Sequence, residues 1–231
     1  MQNLMRSAVM VATLAMSGPA AAGPYEDAVA ADKRGDYATE LRILLPLAQQ
    51  GRPGSQYNIG VMYEAGWGVP QDYAEAMRWY RRAAAQGVDP AQYNLGMMYV
   101  NGHGVSKDNT EAVKWFRLAA EKGLTNAQHN LGVMYAHGLG IAQDDAEAVK
   151  WYRLAADKGY ALSQANLGVM YEKGQGVPQD DVVAYMWSDL AAVGGIAIAR
   201  QNIDLFAAKM TGAQIAQAQQ FACAWKPTSP P

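Results

Sequence analysis

Residues 91–123 read AQYNLGMMYVNGHGVSKDNTEAVKWFRLAAEKG, and this pattern recurs along most of the chain. Asparagine, tyrosine, glycine and tryptophan positions all repeat at an interval of 36 residues without an insertion. A repeat of about 20–50 residues is typical of solenoids, in which each unit is too small to bury its own apolar face. We therefore predict stacked repeats that share one continuous core. The tryptophans that mark the period are Trp79, Trp115, Trp151 and Trp187.

Each unit carries the start and stop signals of two helices. In the quoted unit, Asp89 is predicted to be the N-cap of the first helix and Pro90 its first residue. Gly102 stands where a left-handed residue ends a helix. The second helix is predicted to begin at Asp108, and Glu111 follows three residues later. This spacing is related to a capping box, in which both side chains accept hydrogen bonds from free backbone N–H groups. The pattern therefore predicts helix pairs joined by a glycine-containing loop.

Two recurring residues within the first helix need a reason for being there. Gly96 lies in mid-helix, where glycine costs about 1 kcal/mol relative to alanine. Its recurrence predicts a place where two helix backbones approach too closely for a side chain. Asn94 also recurs, and we expect its amide to form hydrogen bonds with backbone groups between units.

The run from Gln92 to Gly104, continued by Asp108, Trp115 and Gly123, resembles the Sel1-like repeat, a relative of the tetratricopeptide repeat. The resemblance covers residues 54–195 as four units. It implies an all-α fold, a right-handed α/α superhelical solenoid of helix-pair repeats. Members of this family often act as adaptors in complex assembly or in envelope signalling, so the resemblance implies a protein or peptide partner.

The segment before the repeats has the layout of a secretory signal peptide. Arg6 precedes an apolar run from Ser7 to Met16, and Ala20 to Ala22 form an A-x-A cleavage pattern. The apolar run is about half of the ~20 residues that span a bilayer. We therefore expect residues 1–22 to be removed and the mature protein to be periplasmic, with secretion as an alternative and no membrane insertion.

Two shorter regions flank the four repeats. Asp36, Tyr37 and Ala38 lie 36 residues before Asp72, Tyr73 and Ala74, so residues 23–53 are predicted to be a degenerate N-terminal capping repeat. Residues 196–226 are predicted to form C-terminal capping helices, and residues 227–231 a flexible tail.

The composition argues against several functional classes. With 19 basic and 21 acidic residues the chain lacks the basic surface of a nucleic-acid-binding protein. Its single cysteine, Cys223, excludes an internal disulfide and a four-thiolate metal site, and we predict a packed thiol. His103, His129 and His137 fall at three different repeat positions without metal-ligand spacing. We predict a noncatalytic protein without a cofactor; the alternatives are a cell-wall or β-lactam-active enzyme and a secreted factor that binds host or neighbouring-cell proteins.

The remaining functional candidates are surface residues that vary between repeats. In helix-pair solenoids the first helices commonly line the concave side, so residues on their outward face and in the following loop are predicted to bind the partner. Trp67 is the strongest candidate because tryptophan is favoured at interaction hot spots. The alternative is that these aromatics only shield the core. The predicted partner-binding residues are Tyr57, Glu64, Trp67, Tyr93, Met97, Val100, His103 and His129.

Overall fold

The protein is described by a computed structural model that covers residues 23–228. Over these residues the chain forms twelve α-helices and no strand. It divides into two compact units between Lys107 and Asp108. The predicted signal peptide, residues 1–22, lies outside the described residues.

The first unit contains five helices in which each helix packs against the next one along the chain. First and second helices of successive repeats therefore alternate, as the 36-residue period predicts. The helices are α1 (Pro24–Arg34), α2 (Tyr37–Gln49), α3 (Pro53–Ala65), α4 (Tyr73–Ala85) and α5 (Asp89–Asn101).

The second unit contains seven helices, and its first five follow the same order of packing. The all-α helix-pair solenoid predicted from the repeat is thus confirmed. The helices are α6 (Asn109–Glu121), α7 (Thr125–His137), α8 (Asp145–Ala156), α9 (Ala161–Lys173), α10 (Asp181–Val193), α11 (Ala197–Ala207) and α12 (Gly212–Ala224).

An aspartate caps the second helix of every repeat. The carboxylate of Asp72 accepts hydrogen bonds from the backbone N–H groups of Ala74 and Glu75, at 2.9 and 3.0 Å. The Glu75 carboxylate, however, binds Arg78 rather than a backbone amide, so only the first half of the expected capping box forms. The equivalent caps are Asp108, Asp144 and Asp180.

The start of the first helix differs by one residue from the prediction. The N-cap of α5 is Val88, whose carbonyl already accepts the N–H of Gln92 at 3.1 Å, and Asp89 is the first helical residue without a capping bond. The other end is as predicted, because Gly102 follows the helix in the left-handed region with φ +75°.

Successive repeats are joined by a buried polar contact for which the sequence analysis proposed no role. The side-chain amide of Gln128, in α7, donates to the carbonyl of Ala120 in the last turn of α6, at 3.1 Å. The N–H of Gly123 donates to the same carbonyl at 2.9 Å, and φ of this glycine is +93°. Equivalent glutamine–alanine pairs are Gln56 with Ala48, Gln92 with Ala84, and Gln164 with Ala156.

The mid-helix glycines face the second helix of their own repeat. A Cβ at Gly132 would lie 2.7 Å from the ring of Tyr152, and one at Gly60 would lie 2.6 Å from the ring of Tyr80, so at these two positions the close neighbour is a side chain and the expected backbone contact is wrong. At Gly168 a Cβ would lie 3.1 Å from the backbone carbonyl oxygen of Ala184 in α10, so there the expected approach of two helix backbones is confirmed.

The recurring asparagine lies beside tyrosine side chains of the preceding repeat. The side chain of Asn94, in α5, partly offsets the rise that burial causes in the pKa of Tyr57 and of Tyr80. Asn166, in α9, does the same for Tyr152. The asparagine therefore reaches the preceding repeat at a tyrosine side chain.

The N-terminal pair α1 and α2 covers the apolar face of α3. Ala28, Leu44, Ile59 and Met62 form one buried cluster, and Trp79 of α4 belongs to it. Residues 24–49 thus supply the neighbour that the first full repeat needs to bury its core.

The two C-terminal helices both pack against α10. Helix α12 begins with a complete capping box, in which Thr211 and Gln214 satisfy each other's backbone N–H groups. It buries Ala218 and Ala222, as its spacing predicts. Cys223 lies on its other side and is exposed, so the prediction of a packed thiol is wrong.

The chain beyond α12 is held against an earlier turn. Trp225 contacts Trp187 edge to face, with ring centroids 6.3 Å apart. The N–H of Thr228 donates to the carbonyl of Asp157 at 2.7 Å. Ordered contacts therefore continue to Thr228, one residue past the start of the predicted flexible tail, and the rest of that tail lies outside the described residues.

We predict that Gly132→Ala lowers the free energy of unfolding by about 1–3 kcal/mol, because the added methyl group overlaps the Tyr152 ring. Alanine in place of glycine normally stabilises an open helical position, so a loss of stability on Gly132→Ala would indicate the contact with the Tyr152 ring. The control is Gly212→Ala, at the start of α12 with open space around it, which should change stability by less than about 0.5 kcal/mol. Urea unfolding measures both; equal effects would contradict the ring contact.

Candidate functional site

Trp67 lines a cavity of about 290 Å³ in the first unit. The residue lies in the loop after α3, between Gly66 and Gly68. Its ring stacks on Tyr37 with a centroid distance of 5.0 Å and an interplanar angle of 12°. The tryptophan is partly exposed. Of the eight predicted partner-binding residues, it is the one that lines this cavity.

A glycine brings this loop onto the neighbouring helix. Gly68 has φ +72°, and a Cβ there would lie 2.7 Å from the carbonyl oxygen of Tyr37 at the start of α2. The loop therefore rests directly on that helix, which fixes Trp67 over the Tyr37 ring. The same arrangement recurs where His103 stacks on Tyr73, with centroids 4.4 Å apart.

The opposite wall of the cavity is the charged end of α1. Asp32, Lys33 and Arg34 line it together with Gly35, the left-handed residue that ends the helix. Lysine and arginine in a last turn complement the negative end of the helix dipole. The cavity thus joins a stacked aromatic pair to two cations and one carboxylate, a combination suited to a peptide with both apolar and charged groups.

A buried carboxyl group lies one turn from Tyr37. Glu40 is 3% exposed, and its Oε2 atom has no hydrogen-bond partner. Burial, aided by the nearby charge of Asp32, raises the pKa of Glu40 to about 7. The group therefore gains its charge near neutral pH, close to the wall of the cavity.

Two of the predicted residues, Tyr57 and Glu64, belong to a buried network. The Tyr80 hydroxyl donates to the Glu64 carboxylate at 2.5 Å, and burial raises the pKa of Glu64. Tyr57 is only 4% exposed and packs on the Tyr80 ring. The expectation that Tyr57 lies on an accessible face is wrong, because Tyr80 and Asn94 cover it.

His129 also packs inside its unit. Its Nδ1 atom lies 2.9 Å from the Oγ atom of Ser163, and its ring lies between those of Tyr152 and Tyr160. Burial lowers the pKa of His129 to about 4, so the imidazole is neutral at physiological pH. Its side chain is partly buried, and its role in partner binding stays a prediction.

The remaining predicted residues are partly buried and stay predictions. Tyr93, Met97 and Val100 lie along α5, and His103 follows it in the loop. The predicted residues therefore do not form one site. Trp67 lies at the cavity, and Tyr57 and Glu64 meet around Tyr80. His129 lies in the other unit.

Tyr37 contributes to the site although it is not among the residues predicted from the sequence. A spacing of 30 residues identifies it. Tyr37 begins a second helix 30 residues before Trp67, and Tyr73 begins the next second helix 30 residues before His103. Because that contact depends on how the loop folds back at Gly68, the 36-residue period alone does not reveal it.

Residues 23–228 contain no group of three or more histidine, cysteine, aspartate or glutamate side chains arranged to hold a metal ion. Among the described helices, none combines the length and the apolar character needed to cross a membrane.

Comparison with known proteins agrees with the helix-pair geometry. The model of the Sel1 repeat matches four times, at residues 53–88, 89–124, 125–160 and 161–195. The chain belongs to the Sel1 repeat family. Proteins with this repeat are generally noncatalytic scaffolds for protein–protein interaction. No curated protein matches the chain.

Two solved structures resemble this Sel1 repeat protein closely enough to align most of it. A protective antigen of uropathogenic Escherichia coli is 32% identical, with a TM-score of 0.78 over 86% of this chain. The chain spans only 44% of that antigen's length. A Sel1 repeat protein from Oxalobacter formigenes is 30% identical, with a TM-score of 0.73 over 84% of each chain.

We predict that Glu40→Gln removes a pH-dependent cost of folding. Because the pKa of Glu40 is raised from 4.5 to about 7 in the folded state, the protein loses stability as pH rises through this window. The variant should match the wild type at pH near 5 and exceed it by about 1–3 kcal/mol at pH near 8.

Urea unfolding at a series of pH values measures this difference. The control is Glu26→Gln on α1, whose side chain is exposed, so that the substitution removes no buried charge and should not make the protein more stable than the wild type at pH near 8. If Glu40→Gln were more stable than the wild type by the same amount at pH near 5 and near 8, the raised pKa of Glu40 would be contradicted.

Proposed function

We propose that this protein is a noncatalytic periplasmic scaffold that binds a protein or peptide along the exposed face of its first helices and the loops that follow them. The observation that carries the proposal is the position of Trp67, which breaks the repeat pattern and lines a cavity beside charged groups. The partner would serve in complex assembly or envelope signalling, as is common among Sel1 repeat proteins.

The chemistry of the cavity supports a peptide ligand. The face of Trp67 not used by Tyr37 offers a flat apolar surface, and burying a tryptophan at an interface often contributes a large share of the binding energy. Lys33 and Arg34 are exposed and can pair with acidic groups of the partner. The stacked pair is held by the fold before binding, which lowers the entropic cost of association.

Export is the second part of the proposal. It rests on the signal-peptide layout of residues 1–22, which include the apolar run from Ser7 to Met16. The likeness to a protective antigen of Escherichia coli supports it further, because antibodies reach exported proteins. Fractionation of cells and culture medium distinguishes the periplasm from secretion.

We predict that Trp67→Ala reduces capture of the partner from envelope extract by at least about tenfold, as expected for a hot-spot tryptophan. The matched control is Leu154→Ala, which alters an exposed apolar residue on the second helix α8, outside the proposed surface. Immobilised wild type and variants are compared by the amount of bound protein, and Trp67→Tyr tests whether an aromatic ring suffices.

Thermal unfolding of each variant checks that the first unit stays folded. Capture of a partner by the wild type and Leu154→Ala, with loss in Trp67→Ala, supports the site. Equal capture by Trp67→Ala, or no captured protein at all, would count against it.

A further inference from the structure

The segment that follows α12, residues 225–228, lies across the turn between α8 and α9, and we call it the strap. Its first residue, Trp225, is half-buried and contacts Trp187 of α10 edge to face. Trp225 thereby covers an apolar cluster to which α8, α9 and α10 all contribute. A Cβ added to Gly159 would lie 3.9 Å from both Pro227 and Trp225, so the strap passes directly over this turn.

The other end of the strap is fixed by hydrogen bonds to a single atom. The N–H and the hydroxyl of Thr228 both donate to the carbonyl of Asp157, the residue that ends α8, at 2.7 and 3.1 Å. The side chains of Lys226, Pro227 and Thr228 are exposed. The strap is therefore held by one aromatic ring and one carbonyl group, and most of it lies on the surface.

The strap covers a turn that lacks the side chain by which earlier repeats cover theirs. Lys158 Nζ donates to the carbonyl of Gly123 in the preceding turn at 2.5 Å, and the side chain of Gln86 donates to that of Gly51 at 2.9 Å. The equivalent residue of the last repeat is Gly194, where an added Cβ would lie 2.5 Å from a side chain of α9. Because no side chain fits there, the turn between α8 and α9 is left to the strap.

The backbone of the strap has the conformation of a peptide ligand. Trp225 has φ −67° and ψ 140°, close to polyproline II. Pro227 fixes its own φ and disfavours a helical conformation at Lys226. An extended segment of this kind loses little entropy when it binds, which is why proline-rich segments are common ligands of aromatic surfaces.

The strap does not satisfy every group that it covers. The Trp187 ring is 3% exposed, and its Nε1–H has no acceptor among residues 23–228. A buried donor without an acceptor costs free energy. A segment that places both a ring and an acceptor beside Trp187 would therefore bind better than the strap does.

We propose that the strap is releasable and that the surface beneath it is a docking site for an extended segment of a partner protein. The strap itself defines the chemistry of that segment: an aromatic residue, a proline two residues later and a threonine or serine directly after the proline. Strap and partner compete for the same surface, so the strap is autoinhibitory. The site is independent of Trp67, which belongs to the other unit.

The test titrates the full chain, isotope-labelled for NMR, with the capped peptide AWKPTS, which has the sequence of residues 224–229. The wild type should bind it weakly, because affinity falls in proportion to the fraction of molecules whose strap is released. Trp225→Ala removes the ring of the strap and should raise the affinity at least about tenfold. We expect the amide of Gly159 and the indole N–H of Trp187 to shift.

Thr228→Pro is the second variant, because it removes both donors at an exposed position outside the helices and leaves the core unchanged. It should raise the affinity about two- to fivefold. The matched control is Phe221→Ala, which removes an exposed aromatic ring one turn before the strap and should leave the affinity at the wild-type value.

The proposal is overturned if the peptide shifts neither Gly159 nor Trp187 in Trp225→Ala and Thr228→Pro, or if the wild type binds it as tightly as they do. Equal binding of a peptide with alanine in place of its tryptophan would also overturn it. So would a gain of affinity in Phe221→Ala as large as that in Trp225→Ala.

Discussion

The stacking of repeats depends on one carbonyl group at the end of each second helix. The carbonyl of Ala120 accepts two hydrogen bonds, from the N–H of Gly123 in its own turn and from the side chain of Gln128 in the next helix. Each carbonyl oxygen has two lone pairs, so the turn and the neighbouring helix are fixed to the same atom. A one-residue insertion between Ala120 and Gln128 would move the amide away from its buried acceptor, which accounts for the constant eight-residue spacing of this alanine and glutamine in each repeat.

This fixed frame determines which residues are available for function. Tyr80 and Tyr152 fill the space left by mid-helix glycines and are almost fully buried, so these aromatics belong to the core. Trp67 differs because the loop that carries it rests on Tyr37 and leaves part of the indole exposed. The candidate surface therefore lies where a side chain departs from the repeat pattern.

The sequence period predicts the helix pairs and the caps of the second helices, because these depend on local spacing and on single residues such as Asp108 and Gly102. It does not predict which atoms meet between helices. Tyr57 was expected on an open face, but its burial depends on the orientation of the Tyr80 ring. The contribution of Tyr37 to the Trp67 cavity depends on the fold-back of a loop, and neither contact leaves a periodic signal of its own.

The substitution Gln128→Glu tests the glutamine contact most directly, because it keeps the shape and replaces the donor by a carboxylate. The account predicts a loss of about 3 kcal/mol in the free energy of unfolding at pH near 8, where a buried charge would face the Ala120 carbonyl. Much of this loss should be recovered at pH near 5, where the protonated acid can donate to that carbonyl. Exposed Gln217→Glu, in the middle of α12, is the control and should show neither effect. Wild-type stability of Gln128→Glu at pH near 8 would contradict the account.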